Sequence, residues 1–145
     1  MTSGQARSKS LIHWALLGSV PLVAAVLLWL SRIEPDPRGF GTHEQLGLAS
    51  CLPMRLWDVP CPGCGVTTSV ALALHGRLWD SFVNQPFGAL VAVLLALYLV
   101  VVPLAHFRGA DLGRWIERPP ARWVIAALGL FVLGSWVWKF LQLRS

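Results

Sequence analysis

Three cysteines offer the clearest chemistry in this chain of 145 residues, and all three lie in one segment between two long apolar runs. Cys61 and Cys64 belong to a Cys-Pro-Gly-Cys turn, and Cys51 lies a short distance before it. Thiolates are soft ligands for zinc and copper(I), and paired thiols also take part in disulfide exchange. Cysteines that served only as small core residues would not be expected to gather in this way.

One hypothesis for these thiols is a metal site. The Cys61-x-x-Cys64 spacing is that of half a zinc knuckle, and Cys51 can supply a third thiolate. His43 or His75, in the same segment, would complete a tetrahedron of sulfur and nitrogen ligands suited to zinc or copper. The alternative for each histidine is a hydrogen bond to the loop backbone or contact with water.

Two other interpretations of the thiols stay open. A membrane thiol–disulfide oxidoreductase would cycle Cys61 and Cys64, with Cys64 just before a helix N-terminus that favours its thiolate and Cys51 as a resolving thiol. A static disulfide among the three would instead only staple the loop. Because the sequence has no thioredoxin-like βαβ pattern and no flavin or quinone fingerprint, it favours a non-enzymatic protein over a catalyst.

The elements that must position these residues are dominated by apolar helices. Hydrophobic residues make up 55% of the chain and charged residues 13%, whereas a soluble domain needs more charge to cover its surface. Leu11 to Leu30 and Pro86 to Phe107 carry no charge and are long enough to cross a hydrocarbon core of about 30 Å. Trp123 to Trp138 reaches that length if Lys139 extends its ammonium to the interface.

Residues 66–83, which follow the cysteine turn, carry apolar side chains at helical spacing. Their charged and imidazole side chains make them too polar for an obvious fourth span. We therefore predict one interfacial or re-entrant amphipathic helix here, packed over the bundle. A hydroxyl of Thr67, Thr68 or Ser69 would cap its start.

The predicted fold is accordingly an all-α integral membrane protein, with three transmembrane helices plus one interfacial or re-entrant helix in the cysteine-containing loop. The predicted parts are a cytoplasmic tail (1–10), transmembrane helix 1 (11–31), an exoplasmic cysteine-motif segment (32–85) with its helix at about 66–83, transmembrane helix 2 (86–107), a cytoplasmic turn (108–121) and transmembrane helix 3 (122–143).

Positive charge near the ends of the spans predicts the orientation. The short N-terminal tail carries Arg7 and Lys9 and no acid, and the turn after the second span is rich in arginine. Short basic ends favour the cytoplasm, so we expect a multi-pass protein of the inner (plasma) membrane with a cytoplasmic N-terminus. The net charge of +5 comes from basic residues scattered at helix ends, which argues against nucleic acid as a partner. The expected partners are the lipid bilayer and another membrane protein.

In the cysteine segment and the helix after it, the chain resembles a bacterial family of small membrane proteins, the domain-of-unknown-function family 2752. The resemblance covers roughly Pro35 to Leu104, and its core is the Pro-Cys-Pro-x-Cys-Gly-x-Thr motif of residues 60–67. It is supported by His43, Leu46-Gly47-Leu48 and Cys51 before the motif, and by His75-Gly76 and Asn84-Gln85-Pro86 after it. The resemblance implies a helical membrane architecture and carries no established activity.

Overall fold

The computed structural model describes residues 10–112 and 122–144, and these residues form helices and turns with no strand. The helices are α1 (Leu11–Leu30), α2 (Leu52–Trp57), α3 (Val66–Leu74), α4 (Leu78–Asn84), α5 (Pro86–Phe107) and α6 (Arg122–Gln142), with a 3₁₀ helix at Thr42–Leu46. The all-α prediction is confirmed. The predicted cytoplasmic tail, apart from its last residue, and residues 113–121 of the predicted cytoplasmic turn lie outside the described residues.

Three of the helices, α1, α5 and α6, are long and apolar enough to cross a membrane, with mean hydropathies of 2.1, 2.7 and 1.9. Local sequence sets where two of them begin. The Ser10 side chain accepts a hydrogen bond from the His13 backbone N–H and caps α1. Pro86 opens α5 at a position where a helix has no use for a backbone donor. The prediction of three apolar spans is confirmed.

The structure divides the predicted helix 66–83 into α3 and α4. The break follows His75, where Gly76 has a φ of +77°, a conformation that glycine adopts at little cost. The N–H of Arg77 donates to the Leu72 carbonyl at 2.9 Å and the N–H of Gly76 to the Ala73 carbonyl at 3.0 Å. These two bonds are the Schellman pattern that ends a helix at glycine.

Hydrogen bonds in a buried polar interior hold α3 and α4 together. The Ser69 hydroxyl donates to the Ser81 carbonyl at 3.0 Å, and the Ser81 hydroxyl donates to the Ser69 carbonyl at 2.7 Å. The hydroxyl of Thr68 is likewise buried and bonds that of Thr42 in the 3₁₀ helix at 2.9 Å. The prediction that a hydroxyl caps α3 is wrong, because the cap is Gly65 and no side chain bonds there.

Helix α3 lies directly against α5 at a glycine. A Cβ on Gly88 would lie 2.7 Å from the Ser69 Cβ and 3.0 Å from the Val66 Cα, so any larger residue would push the two helices apart. A small apolar core joins α1, α3 and α5 beside this contact: Leu27, Leu30, Val70 and Ala92. Residues 31–85 therefore form a folded unit over one end of the spans, which we call the cysteine cap.

The opposite end of α1 and α5 carries a second polar group, the histidine cluster, made of Ser10, His13, His106 and Asp111. The Nε2 of His13 lies 3.1 Å from the Nδ1 of His106, and His13 is fully buried. The backbone N–H and the hydroxyl of Ser10 each donate to the Asp111 carboxylate at 2.8 Å. The cluster ties the start of α1 to the end of α5.

Candidate metal centre

The Cys-Pro-Gly-Cys turn is held by contacts from the spans below it. The N–H of Cys64 donates to the Cys61 carbonyl at 2.9 Å and closes the turn. The indole N–H of Trp136 on α6 donates to the Pro60 carbonyl at 2.8 Å. The Gln85 amide, fully buried at the start of α5, lies with its Nε2 3.4 Å from the Pro62 carbonyl. Side chains from two spans thus fix the turn on both sides.

Glycine is required directly after the second thiol of the turn. Gly65 has a φ of +87°, and a Cβ there would lie 2.9 Å from the Gly39 carbonyl oxygen. The same Cβ would lie 3.1 Å from the Cε of Lys139. This close approach of two backbone segments and one lysine explains the Cys-Gly pair of the motif.

Cys51 reaches the turn from the start of the short helix α2. Cys51 is the N-cap of this helix, and its carbonyl accepts a hydrogen bond from the Arg55 N–H at 3.0 Å. The three Sγ atoms, of Cys51, Cys61 and Cys64, lie within 4.8 Å of one another. The folding of the cap therefore brings together three thiols that are separated in the sequence.

The sulfur geometry is that of free thiols with room for an ion. The Sγ atoms of Cys61 and Cys64 are 3.6 Å apart, whereas a disulfide requires about 2.05 Å, and all three cysteines are unpaired. The interpretation of the segment as a static disulfide staple is not supported. Two sulfurs that bind zinc at about 2.3 Å in a tetrahedron lie about 3.8 Å apart. A thiophilic ion therefore fits among these three sulfurs with small side-chain adjustments.

The three thiols differ in acidity. Cys64 is buried, and burial raises the pKa of its thiol to about 12. Partial burial also opposes ionisation of Cys51, but hydrogen bonding from the Cys61 thiol and then from the Met54 backbone N–H outweighs it and lowers the pKa of Cys51. The expectation that a helix N-terminus makes Cys64 the favoured thiolate is wrong, because desolvation dominates there.

A cavity of about 230 Å³ borders the sulfurs of Cys51 and Cys64. His43, in the 3₁₀ helix, lies on its wall, together with Met54. Charged and polar side chains complete the lining: Arg38, Glu44, Ser50 and Arg55, beside Phe40. The cavity gives the thiols a side that other protein ligands or a small molecule can approach.

One arginine, Arg38, holds the acidic groups at the cavity wall. The guanidinium of Arg38 lies 2.8 Å from the Asp36 carboxylate and 3.1 Å from that of Glu44. Hydrogen bonding from Arg38 lowers the pKa of Asp36 despite partial burial. Arg38 thus holds the carboxylate of Glu44 on the cavity wall, and the thiols of Cys51 and Cys64 are the soft donors of the same wall.

The two histidines of the predicted ligand set lie in different places. His75 is exposed at the end of α3, and its Nδ1 is 2.8 Å from the Ala71 carbonyl oxygen. Among the described residues, the donor atoms within 4.8 Å of one another are the three sulfurs, without a histidine nitrogen. His43 lines the cavity next to them. The structure thus brings the cysteines together, places His43 nearby and leaves His75 on the surface.

Lys139 is the residue near the site that the sequence placed wrongly. The prediction sent its ammonium to the membrane interface, but its side chain is 2% exposed. Its Nζ donates to the Gly39 carbonyl at 3.0 Å and to the Asn84 Oδ1 at 2.7 Å. The cysteine cap folds over the end of α6 and encloses this lysine. In the sequence, a single lysine near the end of an apolar run is compatible with either an ammonium at the membrane interface or a lysine buried under a folded loop.

Residues 51–99 match the sequence model of a family described as "Protein of unknown function (DUF2752)". The match begins at Cys51, includes the whole Cys-Pro-Gly-Cys turn with α3 and α4, and ends within α5. No curated protein and no solved structure matches the chain.

Proposed function

Since residues 51–99 belong to the DUF2752 family, which has no described activity, we propose a function from the site itself: the chain is a small multi-pass membrane protein that binds a thiophilic metal ion. The ligands are the thiolates of Cys51, Cys61 and Cys64, and the ion is zinc or copper(I). The observation that carries this proposal is that three free thiols lie within 4.8 Å of one another.

The proposal takes His43 as the fourth ligand. It shares the cavity wall with Cys51 and Cys64, so a change of rotamer and a small shift of the 3₁₀ helix would bring its imidazole toward the sulfurs. His75 is left out, because its ring nitrogen already bonds the Ala71 carbonyl on an exposed surface. Three thiolates with one imidazole form a tetrahedral set of the kind used in structural zinc sites.

The role we propose for the bound ion is that of an accessory membrane subunit. The ion would lock the cysteine cap onto the spans, and the cap would present a fixed surface to another membrane protein. Basic residues of the N-terminal tail favour a cytoplasmic N-terminus and an exoplasmic cap in the plasma membrane. A membrane-impermeant thiol reagent applied to intact cells should then label the cap, and labelling only after the cells are opened would contradict this orientation.

Elemental analysis of protein purified in detergent under reducing conditions tests the metal proposal. We expect about one zinc or copper ion per chain. Replacement of any one of Cys51, Cys61 and Cys64 by serine should remove most of the bound metal, because serine is a poor ligand for soft ions. The matched control is Ser19→Ala, which removes a hydroxyl from the α1–α5 contact far from the thiols. Wild-type protein that binds neither ion would end the proposal.

A second candidate, thiol–disulfide exchange, is favoured by the 3.6 Å separation of the Cys61 and Cys64 sulfurs. In that reaction the two thiols would lose two electrons and two protons to the disulfide of a substrate protein, which becomes two thiols, while Cys61 and Cys64 form a disulfide. A Cys64→Ser variant should then trap a mixed disulfide through Cys61. Failure of Cys61 to react with alkylating reagents in the reduced protein would exclude this function.

A further inference from the structure

A buried ammonium group, which has no anionic partner among the residues that the structure describes, lies at the base of the cysteine cap. Lys139, in the last turn of α6, donates from Nζ to two neutral acceptors, the Gly39 carbonyl and the Asn84 side-chain oxygen. Within residues 10–112 and 122–144, no carboxylate lies within ion-pair distance of that Nζ. Removing a charge from water without a counter-charge is costly. A lysine in this position therefore calls for negative charge from another source.

The lysine lies beside the backbone that carries one of the thiols. A Cβ built on Gly65 would be 3.1 Å from the Cε of Lys139, so the lysine side chain runs against the residue that follows Cys64. A negative charge at Cys64, the residue before Gly65, would therefore attract the Lys139 ammonium. On the cavity wall, Arg38 is paired with Glu44 and with the nearby Asp36. Arg55 also lines the cavity, but it is exposed to solvent, whereas Lys139 is buried.

Charge arithmetic connects the two observations. Three thiolates carry three negative charges, so a complex with a divalent ion has a net charge of −1 and one with a monovalent ion has −2. Either complex supplies the negative charge that no described carboxylate gives to Lys139. We infer that Lys139 is the counter-cation of the metal–thiolate site, a positioning residue on the third span that favours the metal-loaded cap. This inference rests on the proposed metal-binding function.

The test compares ions of different charge in a Lys139→Met variant. If the lysine acts through its charge, the loss of affinity grows with the negative charge of the complex. We expect affinity for Zn²⁺ and Cd²⁺ to fall about tenfold and affinity for Cu⁺ and Ag⁺ to fall about a hundredfold. Competition with chelators of known affinity measures both. An equal loss for all four ions would show that the lysine only supports the fold and would overturn the inference, as would no loss.

A second variant guards against misfolding of the first. Asn84→Asp places a carboxylate at the atom that lies 2.7 Å from Nζ and neutralises Lys139 without removing it. Like Lys139→Met, this variant should lose more affinity for Cu⁺ and Ag⁺ than for Zn²⁺ and Cd²⁺. The matched control is Ser135→Ala on the same helix, which removes the hydroxyl that accepts from the Phe87 N–H and changes no charge. Its affinities should stay within about twofold.

The outcomes separate this inference from the function on which it rests. Wild-type protein that binds none of the four ions refutes the metal-binding function itself. Wild-type protein that binds metal, with Lys139→Met and Asn84→Asp showing unchanged or equally reduced affinities for both classes of ion, refutes the role of Lys139 alone.

Discussion

The two ends of the α1–α5 pair carry polar groups of opposite character. In the histidine cluster, His13 lies 3.1 Å from His106, and Ser10 donates two hydrogen bonds to Asp111. In the cysteine cap, the three sulfurs lie within 4.8 Å of one another, and Cys51 and Cys64 line a cavity. A polar group whose members bond each other stabilises the contact between helices. A group of soft donors beside a cavity keeps the capacity to bind an ion. The first is structural, and the second is the candidate for function.

The largest effect expected from this contrast is a separation of metal affinity from stability. Cys64→Ser should lower zinc affinity about a thousandfold, because it removes one of three thiolates, and should change the stability of the metal-free protein little. His13→Ala should lower stability by about 2 kcal/mol, because it removes a fully buried ring with its contact to His106 and leaves a cavity behind. Chelator competition measures the affinity, and unfolding in mixed detergent measures the stability. If fully folded His13→Ala protein failed to bind zinc, the histidine cluster would not be purely structural and the contrast between the two ends would be wrong.

Within the cysteine cap, the alkylation rates of Cys51 and Cys64 test the difference between a half-buried and a buried thiol. In metal-free protein at pH 8, Cys51 should be alkylated about thirtyfold faster than Cys64, because its pKa is lowered and that of Cys64 is raised to about 12. As pH rises, the rate at Cys51 should level off at lower pH than the rate at Cys64, which should still increase above pH 10. Mass spectrometry of timed samples measures both rates. Faster labelling of Cys64 would contradict the buried position described for it.

The glycine contact between α3 and α5 tests whether the cap is as firmly built as the histidine cluster. Gly88→Ala should destabilise the protein by about 1.5 kcal/mol, since its Cβ would lie 2.7 Å from that of Ser69. Gly134→Ala in α6 is the control, because a Cβ there meets no described atom within 4 Å, and it should be neutral or slightly stabilising. Unfolding in mixed detergent measures both. Equal stability of the two variants would mean that α3 does not lie against α5.

The spans and the grouping of the thiols follow from the sequence because they depend on local composition. The runs that predict α1 and α5 contain no charged residue and have the length of a bilayer core, so their existence needs no knowledge of packing. The break in the helix after His75, by contrast, is not part of the prediction, although Gly76 is a local signal for a helix end. The apolar spacing on both sides of Gly76 favoured one continuous helix instead.

Burial of particular side chains does not follow from the sequence, because it depends on distant segments. Lys139 bonds Gly39 and Asn84, which are 100 and 55 positions away along the chain. Snorkelling is the usual behaviour of a lysine near the end of a span, and only the folding of the cap over α6 reverses it. The pKa order of the thiols has the same origin, since desolvation of Cys64 exceeds any effect of the helix that follows it.

The smallest expected effect distinguishes the two histidines. His43→Ala should lower zinc affinity about tenfold, a modest loss because water can occupy the fourth position of a zinc ion that keeps three thiolates. His75→Ala is the matched control and should leave the affinity within about twofold, because its ring bonds the Ala71 carbonyl away from the sulfurs. Chelator competition at fixed pH measures both.

A cobalt-substituted sample gives this last comparison a second, independent measurement. Cobalt(II) held by three thiolates and an imidazole is tetrahedral, and exchange of the imidazole for water in His43→Ala should shift its visible bands while the thiolate charge-transfer band persists. His75→Ala should leave the spectrum unchanged. A shift in His75→Ala with none in His43→Ala would move the fourth ligand from the cavity to the end of α3. The cap would then have to rearrange on binding, since His75 lies exposed at the end of α3, away from the three sulfurs.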